Sequence, residues 1–353
     1  MPRKVPSRQL LRSKSFAGKS YFGWSKATQT VLESSGLPQD RSVRPPRAQV
    51  FLSLMGLLRF SLSRKISIEQ ISVVDMGRLG NAYQQLQHAI RLAHVLNARQ
   101  IVTEAIEWLS PDFSLPSGIR VTQIGAIPQP PPARSMLWGR FFWREEFPSL
   151  GFPDAARRDI AALWKNLQKD PEPKKGDDHL VIHLRGGDVF GHVNTPRNYG
   201  PPPLAFYHRV LLSRSWSEVT IVHEDELNPV LSPLVKLVQD RGLDLRLVSG
   251  HLTDDLAAML SAQHFVLANG TFGRAILDLS PNVSTAYLFD SSMLPPLSNH
   301  EVKIVEIEDV CGVYVSSVMN NNWFNNADQL RLLVEYPLRC LRTAESPLSP
   351  NHQ

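Results

Sequence analysis

The sequence predicts an α/β fold with parallel strands, and three observations carry that prediction. Residues 180–184, Leu-Val-Ile-His-Leu, form a short aliphatic run that stops at Arg185, Gly186, Gly187 and Asp188, as a buried strand stops at a loop. From there to residue 279 strand and helix patterns alternate strictly, which argues parallel strands joined by right-handed crossovers. Residues 66–74 alternate apolar with polar and lead through Gly77 and Gly80 into a helical pattern, the opening of a second, Rossmann-like unit.

In chain order, residues 1–65 come first. They are a basic leader with Pro45-Pro46, scattered serines and no sustained period beyond a short helical stretch over 50–62. The leader holds 13 Lys+Arg against 2 Asp+Glu and the rest of the chain 25 against 31, so the formal charge of +5 belongs to the leader. It is expected to behave as a solvated tail. Peripheral contact with an anionic membrane surface is the next reading, a transit peptide another, and nucleic acid the last, since no basic motif is interleaved with aromatics. The apolar run 50–58 is interrupted by Ser53 and closed by Arg59, short of the about 18 apolar residues that a membrane span needs. Cytoplasmic placement, at the membrane surface, is the expectation, with organelle targeting as the alternative.

Residues 66–170 form the expected N-terminal domain. The strand 66–74 ends at Asp75, the loop Met76-Gly77-Arg78-Leu79-Gly80-Asn81 follows, and a helix is predicted through Leu86, Ala89, Ile90, Ala93 and Leu96, with a next strand at Ile101-Val102. The loop matches only part of a dinucleotide fingerprint. It reads as a tight turn, or as a cleft lining with Arg78 and Asn81 pointing inward. Pro128, Pro130, Pro131 and Pro132 predict an extended connector. Trp138, Phe141, Phe142 and Trp143 read as core beneath it, or as a platform for sugar rings. A helix is predicted over 154–168 through Ile160, Leu163, Trp164 and Leu167, and residues 169–178 read as a linker.

The expected second domain spans 171–310. After the opening strand, a loop over 189–203 rich in Gly, Asn and Pro precedes a helix over 204–213, and a strand over 218–222 ends at His223-Glu224-Asp225. A helix over 229–241, a strand over 243–248, a helix opened by Thr253-Asp254-Asp255, a strand over 265–268, the loop Asn269-Gly270-Thr271-Phe272-Gly273 and a helix over 274–279 complete the alternation. Residues 311–353 are left as a C-terminal extension. Cys311 and Cys340 cannot build a disulfide framework and lack metal-ligand spacing, and a single bridge between them has no support from the sequence.

Three loops therefore lie at C-terminal strand ends, where open α/β sheets bind ligands. Arg185 offers a planar fork of donors to phosphate, the glycines let backbone approach closely, and Asn269-Gly270-Thr271 opens a helix whose N-terminus suits an anion. These features point to a nucleotide-diphosphate site. Asp188 reads as a loop-stabilising carboxylate or as a base, with Glu224 and Asp225 as further candidates for the base.

His183-Leu184-Arg185-Gly186-Gly187-Asp188 resembles the H-x-R-x-G-D motif of the α1,2-, α1,6- and protein O-fucosyltransferases. Asp255-Leu256-Ala257-Ala258-Met259 and Ala268-Asn269-Gly270-Thr271-Phe272 are similar to the D-x-x-x-M and A-N-S-T-F motifs of the bacterial and animal α1,2-fucosyltransferases, and Gly77-Arg78-Leu79-Gly80-Asn81 with Gln84 or Gln85 to their G-x-L-G-N-Q element. The resemblance implies a GT-B-type fold of two Rossmann-like domains with parallel sheets facing a cleft. It implies inverting transfer of fucose from GDP-fucose, without a metal or other cofactor, to a glycan acceptor. Carried over, it makes Arg185 the residue that holds the diphosphate and offsets leaving-group charge, with Asp188 beside it. It puts His183 at the nucleotide or ribose, Asp255 at the base, Thr271 and Phe272 by the diphosphate, and Arg78, Gly80 and Asn81 opposite; the strand-end loops add Gly187, Asp225 and Asn269 as candidate substrate contacts. The sequence departs from the α1,2 pattern at Gly186, where a second Arg is common, and at Gly273-Arg274, where an aromatic pair is. The alternatives are a transferase using another nucleotide sugar, a non-catalytic glycan- or nucleotide-binding relative, and an unrelated α/β enzyme acting on a phosphorylated small molecule.

Overall fold

The computed structural model describes residues 68–125, 136–139, 141, 154–163, 172–191, 197, 199–290, 302–320 and 322–344. The leader, the proline connector, Phe142, Trp143 and residues 164–168 of the predicted helix lie outside the described residues.

The chain is α/β, with two mostly parallel sheets, as expected. The first sheet has the order β3-β4-β2-β1-β5 and comprises β1 (Gln70–Val73), β2 (Gln100–Glu104), β3 (Asp112–Ser114), β4 (Arg120–Ile124) and β5 (Met136–Gly139). Among the described residues of this sheet, only β3 runs antiparallel, against β4. Helix α1 (Leu79–Leu96) crosses from β1 to β2, and α2 (Asp154–Ala162) follows β5. Helix α1 forms because Leu79, Ala82, Tyr83, Leu86, Ala89, Ile90 and Ala93 make one apolar stripe, all buried. It ends where Asn97 turns left-handed (φ 57°) and its N–H bonds Ala93 O. Trp138, expected in an aromatic cluster, sits in β5, and Phe141 is fully buried.

The second sheet has the order β12-β11-β10-β9-β6-β7-β8. Its strands are β6 (His179–Leu184), β7 (Glu218–His223), β8 (Asp244–Val248), β9 (His264–Val266), β10 (Thr285–Phe289), β11 (Lys303–Asp309) and β12 (Leu341–Thr343). All six residues of β6 are buried, so this strand lies at the sheet's centre with both faces covered. The intervening helices are α3 (Leu204–Leu211), α4 (Leu231–Asp240), α5 (Leu252–Ser261) and α6 (Thr271–Leu279), followed by α7 (Val313–Val318) and α8 (Ala327–Glu335). Among the described residues here, only β12, from beyond residue 310, runs antiparallel, against β11.

Residues 172–178 are tied to the lower edge of the second sheet. Glu172 takes a two-pronged pair from Arg246 (2.6 and 2.7 Å), and Asp177 is bonded by His264 (2.8 Å) and Arg214. Cys311 and Cys340 are bonded to one another, with Cα atoms 5.2 Å apart, which corrects the reading that a bridge lacked support. Sequence spacing of 29 residues carried no signal of it; the pairing arises because β11 and β12 bring the two ends of that loop together.

The two sheets share one apolar core. It runs from Ile71, Leu86 and Ile101 of the first half to Met259, Phe265, Ile276 and Ala286 of the second. A second core, around Phe206, Ile221, Leu234 and Trp323, lies on the other face of the second sheet. The halves meet where α1 crosses α6. A Cβ built on Gly80 would stand 2.5 Å from Phe272 N and 2.6 Å from Thr271 C, contacts with backbone that no rotamer change relieves. Gly80→Ala should therefore cost about 1–3 kcal/mol through overpacking. Gly125→Ala, where nothing lies within 4 Å, should be neutral. Urea midpoints of the two variants check this, and equal midpoints would refute the close crossing.

Candidate functional site

The strand-end loops converge on Arg185. Its backbone carbonyl accepts a bond from Asn228 Nδ2 (2.8 Å), and Asn228 is itself buried. The guanidinium lies 4.2 Å over the Tyr199 ring, donates to Asn269 O through Nη1 (3.2 Å) and reaches both Asp188 oxygens through Nη2 (3.1 and 3.3 Å). These three supports fix a side chain that is otherwise rich in rotamers. It remains 20% exposed.

The glycines of this loop answer to neighbouring carboxylates. Asp225 accepts from Gly187 N (2.7 Å) and from Leu227 N (2.9 Å), so both of its oxygens are engaged with backbone. A Cβ on Gly186 would overlap Asp225 Oδ1, and one on Gly187, where φ is +58°, would lie 2.6 Å from Glu224. Room for a second arginine at 186 is therefore taken by Asp225. Gly270, at φ +132°, is needed for a similar reason: a Cβ there would meet Arg185 Nη1 at 2.5 Å.

The other half contributes across the helix crossing. Arg78, just ahead of α1, pairs with Glu224 (2.9 Å) and lies 3.9 Å from Asp188. Thr271 donates to Asn81 Oδ1 (2.9 Å), joining the first turns of α6 and α1. Neither helix has a side-chain cap at its N-terminus, so two sets of first-turn N–H groups and two arginines gather at one place. Gly80 is closed against Thr271 and Phe272, as described above. Arg274 turns away to pair with Asp278 (3.2 Å), which also accepts from Gln87 of α1 (3.2 Å).

Two titratable groups complete the site. His183 is 8% exposed, with its ring edge-on to Phe272 (centroids 5.0 Å apart) and its Nδ1 buried without a hydrogen-bond partner. Burial, and secondarily the charge of Arg185, pushes its pKa down to about 3, so the imidazole is neutral. Asp255, on the first turn of α5, has one buried oxygen without a partner. Its pKa is pushed up to about 6, first by burial, then by the charges of Asp254 and Glu224.

The structure thus gathers Arg185, Gly187, Asp188, Asp225, Asn269, Thr271, Arg78, Gly80 and Asn81 into one hydrogen-bonded or packed seam, and links His183 to it through Phe272. Asp255 stands apart from these contacts, on the first turn of α5. Sequence reasoning did not single out Tyr199 or Asn228 as site residues. Tyr199 lies within the loop over 189–203, and neither position carries a local signal of its long-range contact.

Asp255 supplies a pH test. In the unfolded chain this carboxyl has an ordinary pKa of 3.8, below its value in the fold, so folding binds its proton more tightly. That contribution is fully present below pH 3.8 and is lost as pH rises through about 6. Asp255→Asn, which cannot ionise, should match the wild type at about pH 3.5 and be the more stable of the two at about pH 8. Denaturant midpoints at the two pH values check this.

Among the described residues, no helix is long and apolar enough to cross a membrane. No family model matches the chain, and no curated protein sequence matches it. Among solved structures it is similar to the glycosyl transferase family 9 from Veillonella parvula DSM 2008, at 11% identity and a TM-score of 0.25, over 78% of this chain and 74% of that one. That likeness is too low to carry an argument about activity.

Proposed function

We propose that the chain is a glycosyltransferase that takes a nucleoside-diphosphate sugar, with GDP-fucose as donor and a glycan hydroxyl as acceptor. The observation that supports it is the Arg185 guanidinium, held by Tyr199, Asn269 and Asp188 beside two uncapped helix N-termini. Together these form a preorganised receptor for a diphosphate. The preference for fucose and guanosine rests on the motif resemblance alone.

In an inverting transfer, the acceptor oxygen bonds to the anomeric carbon as the bond from that carbon to the β-phosphate oxygen breaks. The bonding electrons leave with the diphosphate and the hydroxyl proton passes to a carboxylate. Arg185 would offset the charge that grows on the leaving group, which is where electrostatic preorganisation lowers a barrier. Neutral His183, with Nδ1 unpartnered, suits a ribose hydroxyl. Asp255, with an unpartnered oxygen, suits the N–H donors of a guanine edge, and such donors would favour its ionised form. Asp225 is spent on backbone N–H groups, which leaves Asp188 and Glu224 as the carboxylates for the proton, each paired with an arginine.

That same pairing favours the second reading, a nucleotide-binding relative without turnover. Release of GDP and free sugar from GDP-fucose, followed over many equivalents of protein, separates the two. For the site itself, calorimetry with GDP is the test. Wild type should bind; Arg185→Ala should abolish binding while keeping the circular dichroism of the fold. Arg185→Lys should weaken binding at least tenfold, because an ammonium lacks both the fork and the planar face that stacks on Tyr199. Unchanged affinity in Arg185→Ala would overturn the assignment.

A further inference from the structure

The segment beyond Asp309 makes contacts that none of the chemistry above uses, and they converge on the loop that supports Arg185. Trp323 is fully buried, and its indole Nε1 donates to Val189 O (2.7 Å), the carbonyl immediately after Asp188. Its ring stands edge-on to Phe190, with centroids 5.7 Å apart. Asn325 Nδ2 donates to Phe190 O (2.9 Å). At the other end of the loop, Trp323 N donates to Arg197 O (3.3 Å) and the Tyr314 hydroxyl to Pro201 O (2.7 Å). Gly200 fits so closely that a Cβ there would overlap Val318 O.

Between those two ends the loop delivers its contribution to the site. Tyr199 lies under the Arg185 guanidinium, and Gly200 O accepts from Asn269 Nδ2 (3.3 Å), whose own carbonyl accepts from Arg185. The gripping segment is itself made stiff. Asp309 accepts from Cys311 N, Tyr314 N, Val315 N and the Tyr336 hydroxyl. Gln329 accepts from Phe324 N and donates to Ser317 O and Asn322 O. The Cys311–Cys340 bond closes the whole hairpin.

We propose that this disulfide-closed C-terminal hairpin is a positioning element for the anion-binding arginine, and that Trp323 is its principal positioning residue: by holding the carbonyls on both sides of the 189–201 loop it sets Tyr199 and Asp188, and through them Arg185. The Val189 and Phe190 carbonyls take these bonds from the hairpin, and a buried carbonyl left without a donor carries a desolvation cost, so removing the indole N–H frees the loop to move. Opening the disulfide loosens the same grip from further away, which makes ligand affinity sensitive to reductant.

The test uses the full chain. Trp323→Phe keeps an aromatic ring in the core and removes only the N–H and part of the ring. Asn325→Asp removes the donor to Phe190 O, leaves the core intact, and is tolerated at this left-handed position (φ 54°). Each is read by amide hydrogen exchange over 185–201, by GDP affinity, and by the thermal midpoint, with wild type in dithiothreitol alongside. Expected are exchange over 187–201 at least tenfold faster with β6 and β7 unchanged, and GDP affinity about tenfold weaker, equivalent to about 1.4 kcal/mol. A merely structural role would lower the midpoint and leave exchange at the loop and affinity as in wild type. That result in either folded variant overturns the proposal; should Trp323→Phe not fold, Asn325→Asp decides. The affinity arm rests on the nucleotide reading of the site. If wild type binds no GDP, that reading fails, and loop exchange alone decides whether the hairpin positions Arg185.

Discussion

The close crossing of α1 and α6 at Gly80 is the constraint on which the rest of the site depends. Because a hydrogen is the only side chain there, the first turn of one helix can rest on the backbone of the other, and Asn81 and Thr271 come within hydrogen-bonding distance. Tyr83, one turn further along α1, is fully buried at the same seam, and Gln87 bonds Asp278 beyond it. Apolar packing then continues from the first sheet into the second. That continuity resists opening, since separating the halves exposes apolar surface at about 25 cal/mol per Å². Arg78 is held opposite Arg185 by the fold itself.

Electrostatics at the site follow from that placement. Two arginines brought together would repel, and each is compensated by a carboxylate, Arg185 by Asp188 and Arg78 by Glu224. The Arg78 pair is largely exposed, at 66% and 40%, so water and salt screen it and it contributes little to stability. That pair therefore holds Arg78 only weakly. The Arg185 guanidinium, by contrast, is already oriented by an aromatic face and a backbone carbonyl. Orientation fixed before binding is where such a site gains affinity, because less side-chain entropy is lost on association.

What the sequence revealed was what is encoded locally. The strand of 180–184, the helix through Leu86 and Leu96 and the alternation to residue 279 rest on periodicity, and the structure has each of them. Strands β3 and β4 went unrecognised because three to five residues with partial exposure carry too little pattern to read. Gly186 and Gly187 look, in sequence, like glycines that admit a phosphate; in space they admit the carboxylates of residues 224 and 225, which no local pattern announces. Asp225 was read as a ligand contact and is engaged twice with backbone. The motif residues could be named in advance, whereas the partners that orient them, Tyr199, Asn228 and Trp323, lie 14 to 138 positions from Arg185 and show no spacing that ties them to it.

Backbone hydrogen bonding explains why such distant partners are needed at all. A loop rich in glycine and proline is poor in donors of its own, since each proline removes an N–H, and Pro201, Pro202 and Pro203 are all buried at its end. Its carbonyls at Val189, Phe190, Arg197 and Pro201 are all bonded from residues 314–325. The loop beside Arg185 is thus held from outside, and the stretch of chain that holds it is shaped by Asp309, Gln329 and the Cys311–Cys340 bond.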